Sequence, residues 1–126
     1  MQGLVVDDSR VMRQVARQIL EKLSFTVEEA QNCDGAMLVC QRSMPDVLLL
    51  DANMPNNNAA FFLRGLRRIA DGEKPFILVC ATENDAALLE ALEAGADDYV
   101  LKPYDLASIE AKFEEAGISA AGGGDG

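Results

Sequence analysis

The sequence predicts one α/β domain in which a parallel sheet carries helices on both of its faces. Strand-like and helix-like segments alternate five times along the 126 residues. Two strand segments, 46–51 and 75–81, are continuous apolar runs rich in Val, Ile and Leu. Strands that are apolar on both sides are typical of parallel sheets with two covered faces. A chain of this length can also bury a sizeable core without disulfides.

The first part of the chain contains two strand–helix units. Residues 3–8 are a short apolar run that ends in two acids, and residues 25–30 have the pattern of a partly exposed strand. Ser9 is a candidate N-cap for a helix over 9–24, whose apolar residues have helical spacing: Val11, Val15, Ile19 and Leu23. A weaker helix is predicted over 33–43, with a buried side formed by Met37, Leu38 and Cys40.

The rest of the chain repeats the alternation three times. The predicted strands and helices are, in order, 46–51, 58–70, 75–81, 83–95, 98–102 and 105–117. Asn58 and Asp105 are placed to cap the helices that follow them. Gly95 and Gly117 are placed to end helices, because glycine is favoured just past a helix C-terminus. We assign residues 1–118 to the folded domain and expect the Gly-rich residues 119–126 to form a flexible tail.

The composition argues against several classes of protein. A net charge of −10 would repel nucleic-acid phosphates. No apolar run approaches the roughly 20 residues of a membrane span, and no secretory leader opens the chain. Three cysteines without a C-x-x-C pair argue against a disulfide framework and a zinc site. We therefore expect a cytoplasmic protein, and we expect it to be a monomer.

Acidic and other polar residues follow the predicted strands at the same end of the sheet. Asp51 ends the apolar run in VLLLDANMP, where a carboxylate is costly to desolvate. In open α/β sheets, ligands bind outside the carboxyl ends of the strands. The other residues at those ends are Asp7, Asp8, Thr82 and Lys102. Each alone could cap a helix or face solvent, but their joint placement predicts a site.

The residue types at this site predict a divalent cation and phosphoryl chemistry. Two carboxylates about 4 Å apart repel by roughly 4 kcal/mol at an effective dielectric near 20, so the acids need a cation. Oxygen ligands without His or Cys suit Mg²⁺. A carboxylate can attack a phosphoryl group and form an acyl phosphate, while a lysine and a hydroxyl stabilise the phosphoryl oxygens. Without metal, we expect the pKa of at least one of the acids to be raised in the folded state.

The motifs VVDDSRVMR, LLLDANMP, VCAT and YVLKPYD, in this order and spacing, resemble the receiver domain of two-component response regulators. The resemblance covers residues 3 to 118. The stretches TEND, ALEAGADDYVLKP and IEAKFEEAG are most similar to stand-alone chemotaxis-type receivers. It implies a flavodoxin-like (βα)5 fold with five parallel strands in the order 2-1-3-4-5 and helices on both faces.

The resemblance also implies a phosphoacceptor and a metal site. Asp51 would accept a phosphoryl group from a phosphohistidine on a sensor histidine kinase or a histidine phosphotransfer protein. Asp8 and Asp51 would bind Mg²⁺ through their carboxylates, and Asn53 would bind it through its backbone carbonyl. Asp7 would hold a metal-bound water.

Three further roles concern the response to phosphorylation. Lys102 would contact the phosphoryl group, Thr82 would be the switch hydroxyl, and Tyr99 the switch aromatic. Phosphorylation would then change binding of a downstream protein at the surface of the fourth helix, fifth strand and fifth helix. Apart from its own phosphorylation and dephosphorylation, we expect the chain to catalyse no reaction.

Two departures from the family pattern concern the loops beside the site. NNNAA, residues 56–60, stands where receivers often have a Met-Asp-Gly-like stretch, with Asn58 and Ala59 at the Asp and Gly positions. Glu83 follows Thr82, where small residues are usual. An acid beside the acceptor could hinder phosphodonors or redirect the attacking water, so we expect it to change the lifetime of the phosphoryl group.

Other functions remain open at this stage. A degenerate receiver could act as a docking adaptor, and an intact one could be a phosphate sink. A phosphatase of the haloacid dehalogenase type shares the nucleophilic Asp, Mg²⁺, Thr and Lys. That family carries its nucleophile at the end of the first strand in a D-x-D arrangement, whereas Asp51 ends the third strand here. Flavin binding lacks a Ser/Thr/Gly-rich phosphate loop after the first strand.

Overall fold

The computed structural model describes residues 1–55 and 58–119, and these form five strands and five helices in strict alternation. Their bounds are β1 Gln2–Val6, α1 Arg10–Lys22, β2 Thr26–Ala30, α2 Cys33–Arg42, β3 Val47–Asp51, α3 Ala59–Leu66, β4 Phe76–Ala81, α4 Ala86–Ala94, β5 Asp98–Leu101 and α5 Leu106–Glu115. The predicted alternation is confirmed. Of the predicted tail, residues 120–126 lie outside the described residues.

The strands form one parallel sheet in the order β2-β1-β3-β4-β5, as the resemblance to receivers implies. β1 pairs with both β2 and β3, so the direction in which strands are added reverses beside β1. In doubly wound sheets, this reversal opens a crevice at the carboxyl ends of the two central strands. The crevice therefore lies where β1 and β3 end.

Each face of the sheet is covered by its own apolar cluster. Alternate strand residues such as Leu48 and Leu50 pack with α2, α3 and α4 on one face, called here the α2–α4 face. Their neighbour Leu49, together with Val5 and Val100, packs with α1 and α5 on the opposite face, called here the α1–α5 face. All five residues of β3 are buried, which explains its uninterrupted apolar sequence.

The predicted helix caps are present. Ser9 accepts a hydrogen bond from the Met12 N–H at 3.2 Å, and Asn58 accepts one from the Phe61 N–H at 3.0 Å. Asp105 accepts one from the Ser108 N–H at 2.9 Å. Each bond satisfies a backbone donor that the first helical turn leaves unpaired.

The apolar series that predicts α1 is only partly buried. Val11 and Val15 are 67% and 37% exposed, whereas Ala16, Ile19 and Leu20 are buried. A series of residues spaced by four winds around a helix by about 40° per step, so its ends cannot share one face. The apolar positions that reach the sheet are spaced by three and four residues instead. In α2 the prediction fails for Leu38, which is 65% exposed, while Ala36 takes its place in the core.

All five helices are shorter than predicted, and the largest differences are in α3 and α4. α3 ends at Leu66, and Arg67 begins the connection to β4. The Arg67 guanidinium donates to the carbonyl oxygens of Gly72, Pro75 and Gly95 and pairs with Asp97 at 3.0 Å. This connection thereby replaces the last predicted turn and holds the C-terminal end of α4.

At its N-terminal end, α4 begins at Ala86, because Asp85 is the residue that caps it. Gly95 follows its C-terminus with φ 132°, a conformation that favours glycine, so that boundary is as predicted. Within the described ranges, none of the helices is long and apolar enough to cross a membrane.

Candidate functional site

The alternation of side chains along the strands decides which polar residues meet. Val5, Leu49 and Val100 all point to the α1–α5 face. Two residues further on, the same alternation leads to Asp7, Asp51 and Lys102, one at the end of each strand. Polar side chains at the ends of three separate strands therefore meet at one edge of the sheet, on the same face.

Asp51 and Lys102 form the centre of the site. Lys102 Nζ lies 2.9 Å from Asp51 Oδ1 and 3.7 Å from Asp7 Oδ2. Both aspartates are 4% exposed, and they are the buried charged residues of the described chain. Burial alone would lower the pKa of Lys102, but the hydrogen bond and charge of Asp51 and the charge of Asp7 outweigh it, so this pKa is raised. The ammonium is thus held charged between two carboxylates.

The pKa of Asp7 is raised at this site. Burial raises its pKa above the ordinary value; a hydrogen bond from the Ser9 N–H, at 2.9 Å, acts in the opposite direction. The charge of Asp51 adds to the rise, and that of Lys102 opposes it. The pKa of Asp7 is raised, as expected for at least one of the acids, but its largest cause is burial rather than repulsion between the acids.

Asp8 completes a set of three carboxylates, which we call the acid cluster: Asp7, Asp8 and Asp51. One carboxylate oxygen from each lies within 4.8 Å of the others, a spacing at which they could hold one metal ion. Asp8 is exposed, so the cluster opens to solvent on its side. Three carboxylates facing one ammonium leave an excess of negative charge, and an all-oxygen donor set suits Mg²⁺. The residues present therefore fit the predicted cation.

Asn53 connects the acceptor strand with Thr82. Its backbone N–H donates to Asp51 Oδ1 at 2.9 Å. Its side-chain Oδ1 accepts from the Thr82 N–H at 2.9 Å and lies 3.4 Å from Thr82 Oγ1. Thr82 thus stands at the same edge as the acid cluster, as predicted, and its partner is the Asn53 side chain rather than an acid. The sequence pointed to the backbone carbonyl of Asn53 and gave no signal for this side-chain contact.

Tyr99 lies on β5, three positions before Lys102, and packs with the α2–α4 face. It is half-buried, and Lys112 Nζ lies 5.3 Å from its ring centroid. Because strand side chains alternate, Tyr99 and Lys102 belong to opposite faces of the sheet. β5 therefore connects the acid cluster with the surface around α4.

The residues that depart from the usual motif lie close to the site. Glu83 follows Thr82 and is exposed. Asn58 caps α3, and Ala59 is buried at its first turn. Asn56 and Asn57 lie outside the described residues.

Arg13 is a residue that sequence reasoning missed. Its Nη1 donates to the Asp7 backbone carbonyl at 2.8 Å, and its Nε lies 3.2 Å from Glu29 Oε1. Arg13 stands one turn after Ser9, and it holds the segment that carries the acids against β2. The sequence shows that Arg13 is a basic residue in the first helix, but this does not predict which groups it contacts.

Residues 4–114 match the family model of the response regulator receiver domain. The chain belongs to the response regulator receiver family. This receiver is 31% identical over 113 residues to the KDP operon transcriptional regulatory protein KdpE of Escherichia coli, covering 90% of the chain and 49% of that protein. It is 35% identical over 110 residues to response regulator MprA of Mycobacterium ulcerans, covering 87% of the chain and 47% of that protein. The receiver therefore spans about half the length of these curated relatives.

Solved structures of receivers share the fold over nearly their whole length. A signal receiver domain from Bermanella marisrubri matches with a TM-score of 0.82 and 30% identity, covering 90% of this chain and 95% of that one. The chemotaxis response regulator CheY4 of Vibrio cholerae matches with a TM-score of 0.82 and 26% identity, covering 90% and 96%. The expected flavodoxin-like receiver fold is thereby confirmed.

Proposed function

We propose that the chain is a phosphorylation-activated switch in which Asp51 accepts a phosphoryl group from a phosphohistidine. The donor would be a sensor histidine kinase or a histidine phosphotransfer protein. The observation that carries the proposal is the contact of 2.9 Å between Lys102 Nζ and a buried Asp51 carboxylate within the acid cluster. Membership of the receiver family supports it.

The transfer balances as a displacement at phosphorus. One Asp51 carboxylate oxygen forms the new P–O bond, and the P–N bond to the donor imidazole breaks. The imidazole nitrogen leaves with the electron pair and takes a proton from solvent, which gives neutral histidine and an acyl phosphate on Asp51. Because the chain contains no histidine, it cannot serve as its own phosphohistidine donor.

The acid cluster would hold Mg²⁺ for this reaction. The protein ligands would be the carboxylates of Asp8 and Asp51 and the backbone carbonyl of Asn53, with Asp7 acting through water. When bound, the ion supplies positive charge for the carboxylates and for the phosphoryl oxygens. Lys102 adds the charge of an ammonium that already contacts Asp51 at 2.9 Å.

Thr82 and Tyr99 would report phosphorylation to the rest of the molecule. A phosphoryl anion gains a charge-assisted hydrogen bond from a nearby hydroxyl, so Thr82 would move toward it. The space that Thr82 vacates would admit the Tyr99 ring. Structures with and without beryllofluoride, which mimics an acyl phosphate, test this; an unchanged Tyr99 rotamer and an unmoved Thr82 would contradict it.

Output would pass to a downstream protein that binds at α4, β5 and α5. Leu89 of α4 and Leu101 of β5 are 56% and 41% exposed there. The likeness to CheY4 supports a chemotaxis-type or related two-component pathway. We further propose that the receiver is cytoplasmic and monomeric. A pull-down with the Mg²⁺–beryllofluoride form against the untreated protein would identify the partner.

Labelling with a small phosphodonor tests the central proposal. We expect incubation with acetyl phosphate and Mg²⁺ to add the mass of one phosphoryl group to the wild type and none to Asp51→Asn. Asp34→Asn, which removes an exposed carboxylate from α2, is the matched control and should be labelled like the wild type. Equal labelling of Asp51→Asn and the wild type would refute Asp51 as the acceptor.

A further inference from the structure

The Asn53 side chain extends the β3–β4 ladder beyond the point where β3 ends. The last backbone bond between these segments runs from the Ala52 N–H to the Cys80 carbonyl at 2.9 Å. One step further, the Thr82 N–H finds the Asn53 amide oxygen at 2.9 Å instead of a backbone carbonyl. A side chain thus supplies the acceptor that the strand itself no longer offers.

The same amide oxygen lies 3.4 Å from the Thr82 hydroxyl, so both donors of Thr82 face it. Meanwhile the Asn53 N–H donates to Asp51 Oδ1 at 2.9 Å. Asn53 is therefore hydrogen-bonded to the carboxylate that would be phosphorylated and to the hydroxyl that would respond. Both Asn53 and Thr82 are exposed, which makes the contact one that can exchange for another partner.

We propose that the Asn53 side-chain amide is a positioning residue that holds Thr82 in its unphosphorylated position and thereby sets how readily the receiver switches. The proposal rests on the proposed function. A neutral amide oxygen and an anionic phosphoryl oxygen compete for the Thr82 hydroxyl, and the anion is the stronger acceptor. The contact between Asn53 and Thr82 is made only in the unphosphorylated state. It therefore stabilises that state relative to the phosphorylated one and increases the free energy needed to switch.

A double-mutant cycle in beryllofluoride affinity tests the proposal. We expect Asn53→Ala to bind Mg²⁺–beryllofluoride about threefold to tenfold more tightly than the wild type, the range that one ordinary net hydrogen bond represents. In the Thr82→Ala background, which has no hydroxyl to release, we expect the Asn53→Ala substitution to change the affinity less than twofold. An equal change in both backgrounds, or weaker binding by Asn53→Ala, would overturn the proposal.

A measurement on the unliganded protein separates this inference from the proposed function. Asn53→Ala should speed hydrogen exchange of the Thr82 amide, since its acceptor is lost, and unchanged exchange would overturn the inference. Asn58→Ala is the matched control, because it removes an asparagine oxygen that accepts from Phe61 rather than Thr82. It should leave both readouts unchanged.

If wild type is labelled at Asp51 but the cycle shows no coupling, only the Asn53 inference fails. If wild type is not labelled, both fail.

Discussion

The Lys102 ammonium lies 2.9 Å from Asp51 Oδ1, although 51 positions separate the two residues in the sequence. The contact joins the ends of β3 and β5, which have β4 between them in the sheet. Lys102 therefore reaches across one strand to offset part of the acid cluster's charge.

Removing the Lys102 charge should destabilise the metal-free protein. Breaking a fully buried ion pair costs about 3–5 kcal/mol, and the Lys102 side chain is 16% exposed. We expect Lys102→Met to lower the free energy of unfolding in EDTA by about 1–3 kcal/mol. Lys74→Met is the control, because Lys74 is 54% exposed in its pair with Asp46, and this pair should contribute less than about 1 kcal/mol. Urea unfolding of both variants decides, and equal losses would show that burial does not matter here.

Removing Asp8 should have the opposite effect. Asp8 is the exposed member of the acid cluster, and the described contacts give it no cationic partner, whereas Asp51 is paired with Lys102. Asp8→Ala should therefore raise the melting temperature in EDTA by a few degrees, because it relieves repulsion without breaking a pair. Mg²⁺ should stabilise the wild type increasingly with concentration, and Asp8→Ala should lose most of that gain.

Glu73→Ala is the control for this prediction. It removes an exposed acid from the connection between α3 and β4, far along the chain from the cluster. Its response to millimolar Mg²⁺ should equal that of the wild type. A wild type that Mg²⁺ does not stabilise, or that responds as Asp8→Ala does, would argue against a metal site.

Asp7 should make the metal-free protein less stable as the pH rises. Its pKa is raised in the folded state from the ordinary 3.8, chiefly by burial, so the native state retains a proton that the unfolded chain has lost. That contribution is complete below the unfolded value and disappears as the pH rises through the folded pKa. The stability of Asp7→Asn relative to the wild type in EDTA should therefore increase as the pH rises above about 4. A difference in melting temperature that does not change with pH would contradict this.

Glu29 should give the reverse dependence. Its hydrogen bond from Arg17, at 2.7 Å, lowers its pKa below the ordinary 4.5, and Arg13 adds to the effect. A lowered folded pKa contributes stability above the unfolded value, and this is lost as the pH falls through the folded pKa. Glu29→Gln should cost about 0.5–1 kcal/mol at neutral pH and nothing in acid. The difference in melting temperature between variant and wild type should decrease with rising pH for Glu29→Gln and increase with rising pH for Asp7→Asn.

Arg67 should be important for the stability of the α4 end. Its guanidinium donates to three backbone carbonyls, and its side chain is 18% exposed. We expect Arg67→Met to cost about 2–4 kcal/mol, because it leaves these acceptors without their donor. Arg68→Met, at the exposed neighbour, is the control and should change stability by less than about 0.5 kcal/mol. An equal loss of unfolding free energy in the two variants would show that water replaces Arg67 as the hydrogen-bond donor to these carbonyls.

The strand–helix alternation and the polar residues at the strand ends could be predicted from the sequence pattern, whereas the strand order and the residue roles came from the resemblance to receivers. Asp7, Asp51 and Lys102 meet because each ends a parallel strand in the same phase as a buried residue two positions earlier. Contacts made by long or turning side chains have no such rule. Arg13 and the Asn53 amide reach their partners through rotamers that a linear sequence does not specify.

Which side of each helix is buried was predicted less well than the strands, for a related reason. Val11 and Leu38 are apolar and correctly spaced for a helix, yet they are 67% and 65% exposed. Composition shows which residues could be buried, but the direction from which the sheet approaches decides which of them are. Small residues such as Ala16 and Ala36 lie on the side that faces the sheet, and they are buried.

The alternation of faces along β1, β3 and β5 also limits how this sequence can vary. A residue inserted into β3 would transfer Asp51 from the α1–α5 face to the α2–α4 face, and a deletion would do the same. Either change would separate the carboxylate from Lys102 even if every side chain at the site were retained. Descendants of this chain can therefore substitute residues within these strands, but changes in length are confined to the loops between elements.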